Sequence, residues 1–153
     1  MSLNFKVKDL KKGRGLQNGK RVKQIAAACL RTSSKGREIL MITSSNGRWI
    51  LPKGWPIDGK SDAETAQQEA WEEAGVRKGE PSEEPIGTYD GTKRFDNGIE
   101  IPCRTEIYKI DVTDSTKKFP EANDRSRKWM SIGRARKLVD EPGLRKFLKS
   151  LPQ

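Results

Sequence analysis

The sequence predicts an α/β (α+β) fold, in which one sheet and a few helices pack around a shared core. Short apolar runs bounded by turn residues occur on both sides of the centre of the chain. Between them lies a segment with clear helix start and stop signals, and the C-terminal part contains further helical stretches. A length of 153 residues, with no repeat and no long linker, indicates a single folded unit.

The N-terminal third of the chain combines a basic arm with predicted strands. Residues 1–20 are polar and rich in glycine and lysine, and we expect a flexible basic arm there, with the domain proper over 21–153. Asn46-Gly47 is a hairpin signal, and Pro52 ends the last of the strands. The predicted strands cover residues 24–32, 38–43 and 49–51, with a turn over 33–37.

The central helix carries its own boundaries. Ser61 and Glu64 have the spacing of a capping box, and Gly75 stands where a helix commonly ends in a left-handed residue. Small residues recur along one face and predict close packing against a sheet, which turns the opposite face toward a cleft. These small residues are Ala63, Ala66, Ala70 and Ala74.

The second half of the chain alternates strand and helix signals. Residues 113–124 are polar and irregular, and we expect a loop there. The predicted strands are 85–89, 100–112 and 127–132, and the predicted helices are 131–139 and 142–151.

Composition excludes several kinds of active site. The chain contains no histidine, which rules out Ser-His-Asp and Cys-His triads and the common zinc sites. A general base must therefore be a carboxylate, a lysine or a tyrosine. Cys29 and Cys103 lie in apolar or strand-like segments, and two cysteines are too few for a disulfide framework. We expect both to be buried, reduced thiols.

Net charge points to an anionic ligand. The formal charge is +10 and lysine and arginine crowd both ends of the chain. Such a surface attracts either nucleic acid or a densely phosphorylated small molecule, and charge alone does not separate the two. No apolar run reaches the length of a membrane span, and the first residues lack the apolar core of a signal peptide. We therefore expect a cytoplasmic enzyme without a membrane partner.

Three glutamates on the central helix predict a metal site. Glu69, Glu72 and Glu73 are three and four residues apart, so their side chains share one helical face. Clustered like charges destabilise an ordinary helix, but a hard divalent cation between them removes the repulsion and can bridge to phosphate. The pattern indicates metal-dependent phosphate chemistry.

The segment from Pro52 to Val76 resembles the Nudix box, G-x5-E-x7-R-E-U-x-E-E-x-G-U, where U is aliphatic. Gly54 takes the place of its first glycine, whereas Lys60 and Gln68 stand where a glutamate and an arginine are expected. The resemblance implies a MutT-like α/β/α sandwich with a mixed sheet and Mg²⁺- or Mn²⁺-dependent hydrolysis of phosphoanhydrides. Because the box arginine normally orients the glutamates, we expect weakened metal affinity.

The same resemblance implies roles for individual residues. Glu69 and Glu73 would be the principal metal ligands, and Glu72 a further ligand or, as we favour, the base that accepts a proton from water. The carbonyl of Gly54 would approach the metal or a phosphate. Glu121 and, less favoured, Glu106 are candidates for a fourth carboxylate from outside the box.

Over residues 24–148 the sequence is most similar to the diphosphoinositol polyphosphate phosphohydrolases, which also cleave diadenosine polyphosphates. Trp55 replaces a glycine of that branch and would narrow the pocket or stack on a base. The substrate-binding residues implied are Ser44, Arg48, Lys53, Arg104, Arg125 and Arg127, with Arg94 a looser match.

Two other functions stay open. One is hydrolysis of nucleotides or of RNA 5′ ends, which the basic termini would suit, and the other is a non-catalytic polyphosphate-binding module. The sequence leaves the oligomeric state undetermined.

Overall fold

A computed structural model describes residues 21–153, and the predicted arm over residues 1–20 lies outside the described part. Within that part the chain forms eight strands and three helices. The strands are β1 (Val22–Ser33), β2 (Gly36–Thr43), β3 (Trp49–Ile50), β4 (Lys53–Gly54), β5 (Val76–Pro81), β6 (Gly87–Arg94), β7 (Glu100–Ser115) and β8 (Arg127–Ser131). The helices are α1 (Asp62–Ala74), α2 (Ile132–Leu138) and α3 (Pro142–Ser150).

The eight strands form one mixed sheet, as predicted. The long strands β1 and β7 lie side by side at its centre and run parallel. All the other pairings are antiparallel: β2, β3 and β8 extend the sheet beyond β1, whereas β5 and β6 pair with β7. The short strand β4 pairs with Ile25 and Ala26 of β1, and β4 with its flanking residues, 52–57, is called the Gly54 loop. An apolar run that is buried on both faces explains the central position of β1.

Helices cover both faces of the sheet, which confirms the predicted α/β/α sandwich. Alternate residues of β1 point to opposite sides, so Ala26 and Leu30 join one apolar core while Ile25 and Ala27 join the other. Helices α2 and α3 close the first core, and α1 closes the second. The sheet therefore supplies a rigid floor on which α1 holds its glutamates.

Helix α1 has the boundaries that its sequence predicts. The hydroxyl of Ser61 accepts from the backbone N–H of Glu64, and the Glu64 carboxylate accepts from the N–H of Ser61. Gly75 ends the helix with φ of 74°, a conformation that only glycine adopts at little cost. The alanine stripe packs on the sheet: Ala66, Ala70 and Ala74 are fully buried.

Several element boundaries differ from the sequence prediction. Strands β4 and β5 were not predicted, because two residues are too few for a periodic pattern and β5 contains glycine, proline and charged residues. β6 runs from Gly87 to Arg94 instead of 85–89, since pairing with β7 carries it through Gly91. The first residues of the predicted loop 113–124 belong to β7, and β3 ends at Ile50. Tertiary pairing overrides local propensity at each of these places.

Both cysteines are buried and reduced, as expected. Burial raises the pKa of the Cys29 thiol to about 12, so it is inert near neutral pH. No helix in the part of the chain that the structure describes is long and apolar enough to span a bilayer.

Candidate active site

The loop of Gly54 lies directly over the glutamate face of α1. Glu69 is fully buried and Glu73 nearly so. A Cβ atom on Gly54 would lie only 2.3 Å from Oε1 of Glu69, so a residue with any side chain there would displace the carboxylate. Glycine is therefore needed at this position of the box because the backbone lies close to the carboxylate, and not because of an unusual backbone angle.

Crowding of carboxylates perturbs the glutamates strongly. Burial raises the pKa of Glu69 to about 9, and the charges of Glu73, Glu72 and Glu121 add to the effect. Burial also raises the pKa of Glu73, although Arg125 opposes the shift. Carboxyl groups that resist ionisation in a buried cluster are the groups that a divalent cation stabilises in their charged form.

Glu73 is held between the Gly54 loop and the segment before β8. Its Oε1 accepts from the backbone N–H of Lys53 at 3.1 Å and lies 3.7 Å from the guanidinium of Arg125. Arg125 in turn donates to Glu121 at 2.7 Å, which brings that predicted fourth carboxylate to the cluster. Glu106 lies elsewhere: it is 3.6 Å from Lys23, which also contacts Asp62 at the start of α1.

Glu72 lies at the edge of the same cluster. Its backbone carbonyl accepts from the N–H of Glu121 at 3.0 Å, which ties the 116–124 segment to α1. Oε2 of Glu72 is buried and accepts no hydrogen bond within the described residues. A buried carboxylate oxygen of this kind retains its capacity to take a proton or an ion.

Cations and polar groups surround the Gly54 loop and form a cleft of about 120 Å³. That volume is well above the roughly 10–15 Å³ that one water molecule needs by the same measure, so the cleft has room for a group larger than one water molecule. The residues that line the cleft are Gln24, Ser44, Ser45, Ile50, Lys53, Gly54, Trp55, Glu73, Lys93 and Arg125.

Lys93 is the cation of the cleft that the sequence analysis missed. It lies on β6, next to an exposed turn with no motif of its own, and only the pairing of β6 with β7 carries it to the cleft. Burial lowers its pKa, and the positive charge of Lys53 lowers it further. The negative charge of Glu73 opposes this lowering in part, but Lys93 forms no salt bridge among residues 21–153, so its charge is available to a phosphate.

Some predicted substrate residues do not join this cleft. Arg48 lies 3.9 Å from Asp140 and is largely exposed, and Arg94 is exposed beside Glu100. Arg104 makes a bidentate ion pair with Asp90 and lines a separate groove between β6 and α3. Of the six predicted substrate residues, the structure brings Ser44, Lys53 and Arg125 into the cleft.

The two positions that depart from the box, Lys60 just before α1 and Gln68 within it, line one groove. Lys60 and Gln68 line a shallow groove with Glu64, Gln67 and Trp71, away from the cleft of Lys53 and Glu73. Lys60 therefore does not line the cleft in which a phosphate would bind.

The residues of the site fit a magnesium ion that is completed by water and phosphate. Within the described residues, no three acidic or thiol groups stand close enough to make a metal cage by themselves. Mg²⁺ does not need one, because it usually takes one or two carboxylates and fills its other positions with water and substrate oxygens. The buried carboxylates Glu69 and Glu73, the first packed directly against the backbone of Gly54, would supply the acid ligands of that requirement.

We expect the stability of the metal-free protein to fall as pH rises. Because the pKa of Glu69 is raised to about 9, the folded state binds more protons than the unfolded state between about pH 5 and pH 9. The free energy of unfolding therefore decreases as pH rises through this range. One such proton changes the free energy of unfolding by at most about 1.4 kcal/mol per pH unit. Because Mg²⁺ competes with that proton, the rise in melting temperature on adding Mg²⁺ should be larger at pH 8.5 than at pH 6.

Thermal unfolding at the two pH values, with and without Mg²⁺, measures this difference. In the variant Glu69→Gln, stability should depend less on pH, and Mg²⁺ should raise the melting temperature by less. An equal Mg²⁺ effect at both pH values in the wild type would contradict the assignment of Glu69.

Arg127 caps α1 instead of lining the cleft. Its Nε donates to the carbonyl of Ala74 in the last turn at 2.8 Å, and its guanidinium lies 5.8 Å from the centre of the Phe119 ring. We expect Arg127→Met to lower the free energy of unfolding by about 1–2 kcal/mol, because a terminal carbonyl loses a charged donor. KM should change by less than about twofold, since no phosphate contact is lost.

The matched variant Arg125→Met should show the opposite pattern, with a raised KM. Denaturant unfolding and initial-rate kinetics on both variants separate the two roles. A large KM effect of Arg127→Met with unchanged stability would return Arg127 to the substrate site.

A comparison with protein families agrees with this geometry. The NUDIX domain family matches residues 22–151, which is nearly all of the described chain. The chain belongs to the Nudix family. Members of the family typically use a divalent metal, in keeping with the carboxylate pair under Gly54.

Individual relatives support the same assignment. The chain is 29% identical over 127 residues to Nudix hydrolase 13, mitochondrial, of Arabidopsis thaliana, covering 76% of this chain and 62% of the relative. It is 32% identical over 120 residues to Nudix hydrolase 16, mitochondrial, of the same plant, covering 76% and 66%. The chain thus spans about half to two thirds of the length of the curated relatives it matches.

The fold is also similar to that of C. elegans Ap4A hydrolase, with a TM-score of 0.60 and 19% identity over 84% of this chain and 94% of that one. At that level of identity the similarity concerns the fold alone.

Proposed function

We propose that this Nudix protein is a Mg²⁺-dependent pyrophosphohydrolase that cleaves phosphoanhydride bonds in diphosphoinositol polyphosphates or dinucleoside polyphosphates. The observation that carries the proposal is the cleft itself, in which Lys53, Lys93 and Arg125 surround the buried acids beneath Gly54. Cations next to a metal-binding acid pair suit a ligand that carries several linked phosphates.

The roles of the residues follow from their positions. Lys53, Lys93 and Arg125 bind the phosphates and hold the chain of anhydrides in one orientation over Gly54. Glu69 and Glu73 would hold the divalent ion, which when bound neutralises phosphate charge and acidifies water. Oε2 of Glu72 accepts a proton from the attacking water, since it has no other partner in the described part of the chain.

Phosphate-rich substrates are favoured over compounds with a single diphosphate. Three cations at one small cleft exceed the need of one diphosphate that is already neutralised by Mg²⁺, and the chain as a whole carries a charge of +10. The resemblance of residues 24–148 to the diphosphoinositol polyphosphate phosphohydrolases points the same way. The fold likeness to an Ap4A hydrolase does not decide between the two substrate classes.

A substrate panel tests the proposal. Wild type, Glu73→Gln and Lys93→Met are assayed with Mg²⁺ on a diphosphoinositol polyphosphate, on Ap4A, and on RNA with a 5′ triphosphate. We expect wild type to hydrolyse one of the first two, Glu73→Gln to be inactive, and Lys93→Met to have a KM about tenfold higher. An exposed lysine that does not line the cleft, Lys117→Met, serves as the charge-matched control.

The other outcomes identify the alternatives. Turnover of RNA alone, with salt-sensitive binding that is lost when residues 1–20 are removed, would establish the RNA 5′-end activity. Polyphosphate binding without turnover, unchanged in Glu72→Gln, would indicate a non-catalytic binding module. A cytoplasmic location stays a prediction, which fractionation of cells that carry the tagged protein would test.

A further inference from the structure

Glu141, the N-cap residue immediately before α3, contacts a lysine of the cleft from outside the Nudix box. Oε1 of Glu141 lies 3.9 Å from the ammonium of Lys53, and the two side chains are only 21% and 14% exposed. The backbone of Lys53 is part of β4, and its N–H donates to Glu73, so the residue is anchored at the metal side of the cleft. Glu141 is thus the acid that faces the side chain of Lys53 from the other side.

The side chain of Glu141 does not perform the usual task of its position. Glu141 is the N-cap residue of α3, where a polar side chain commonly accepts a hydrogen bond from the first turn of the helix. The structure shows no such bond from Glu141, and α3 begins with Pro142. The carboxylate turns toward Lys53 instead, although capping would stabilise its own helix.

Two glycines make this approach possible. A Cβ atom on Gly91 of β6 would lie 2.5 Å from Oε2 of Glu141, so a side chain there would displace the carboxylate from its present position. A Cβ atom on Gly143 would lie 2.9 Å from Cβ of Tyr89 and 3.0 Å from the carbonyl of Asp90, which shows how closely the start of α3 docks on β6. The site is therefore built by α3, β6 and β4 together.

The buried neighbours of Lys53 explain why it needs a partner. Lys93 lies on the same cleft and repels it, whereas the Tyr89 phenol and Glu141 interact favourably with its positive charge. A long, flexible ammonium side chain has several rotamers, and only some of them direct it at a phosphate. An acid fixed at the rim restricts those rotamers without touching the phosphate.

We propose that Glu141 is a positioning residue, which through its ion pair with Lys53 holds that ammonium at the phosphate-binding wall of the cleft. The inference rests on the proposed function, since it assumes that Lys53 contacts a substrate phosphate. It assigns the C-terminal helix α3, which carries no part of the box, a role in substrate affinity.

A double-mutant cycle tests whether Glu141 acts through Lys53. The probe is methylenediphosphonate with Mg²⁺, whose P–C–P linkage resists hydrolysis, and its Kd is measured by calorimetry. We expect Lys53→Met to weaken binding about tenfold, and Glu141→Ala about threefold to fivefold. The double variant should bind no more weakly than Lys53→Met alone, because neighbours that act as a unit are not additive.

The variant Glu141→Asp separates positioning from helix stability. Aspartate is a better N-cap than glutamate, and its shorter side chain draws the carboxylate toward the helix and away from Lys53. We expect its melting temperature to equal or exceed that of wild type while its affinity falls as in Glu141→Ala. Gly91→Ala should weaken binding similarly with all charges kept, whereas Glu83→Ala and Gly133→Ala should not.

The results that overturn the inference are distinct from those that overturn the function. Tighter binding of the probe by Glu141→Ala would show that the carboxylate merely repels the ligand. If Glu141→Ala weakened binding equally in the wild type and in Lys53→Met, the carboxylate would act independently of Lys53. Either result, with normal binding and turnover by wild type, overturns the positioning role alone. Absence of probe binding by wild type overturns the proposed function, and the inference with it.

Discussion

Replacing Glu69 by glutamine is expected to lower kcat about a thousandfold or more, while leaving the metal-free protein as stable as the wild type or more stable. The two effects have one cause. Glu69 is fully buried, and burial raises its pKa to about 9, so the charged form is unfavourable until a cation accompanies it. Glutamine keeps the shape of the side chain but is neutral, so its amide oxygen is a much weaker ligand for Mg²⁺ than a carboxylate.

Turnover with Mg²⁺ and thermal unfolding in EDTA measure the two effects on the same preparation. Glu80→Gln provides the control, because Glu80 is an exposed glutamate on β5. Near-normal turnover by Glu69→Gln would remove Glu69 from the metal site. A large loss of stability without metal would show that its charge serves the fold.

Gly54→Ala is expected to lower kcat/KM about a hundredfold, because displacement of a catalytic group by around 1 Å has an effect of that order. The added methyl group would lie 2.3 Å from Oε1 of Glu69 and 2.6 Å from its Cδ, so the carboxylate must move. Since Glu69 has no exposed space to move into, the backbone of the Gly54 loop must shift as well. We expect a decrease of about 1–3 kcal/mol in the free energy of unfolding from this overpacking.

Kinetics and chemical denaturation of Gly54→Ala, beside Gly133→Ala, test the prediction. A methyl group on Gly133 has its nearest neighbour at 3.7 Å, so that glycine-to-alanine change is sterically free. If Gly54→Ala kept wild-type activity, the close approach of loop and carboxylate would have no catalytic importance. Loss of stability without loss of activity would assign the glycine to packing alone.

The central helix is the part of the molecule that local sequence specified best. Ser61, Glu64 and Gly75 set its ends through contacts within a few residues, and the structure contains each of those contacts. The spacing of the glutamates placed Glu69 and Glu73 on one face for the same reason, since a helix has a fixed period. Residues whose neighbours are close in the chain are predictable from the chain alone.

Strand content was less predictable where pairing decides it. The segment 76–81 contains glycine, proline and three charged residues, and it is a strand because β7 offers a partner edge. The same holds for the second half of β6, which carries Lys93 into the cleft. Short propensity patterns do not record which edge of a sheet is available.

The basic residues show most directly what could not be predicted from the sequence. Arg125 and Arg127 are two positions apart and identical in type, yet Arg125 contacts Glu73 and Glu121 whereas Arg127 binds a helix carbonyl. By itself the sequence determined the fold class, the capped helix and the acid pair, because these depend on local spacing. Only the tertiary structure decided which cations line the cleft and that Glu141 faces Lys53, because those contacts join segments that are distant in the chain and meet only when the sheet is assembled.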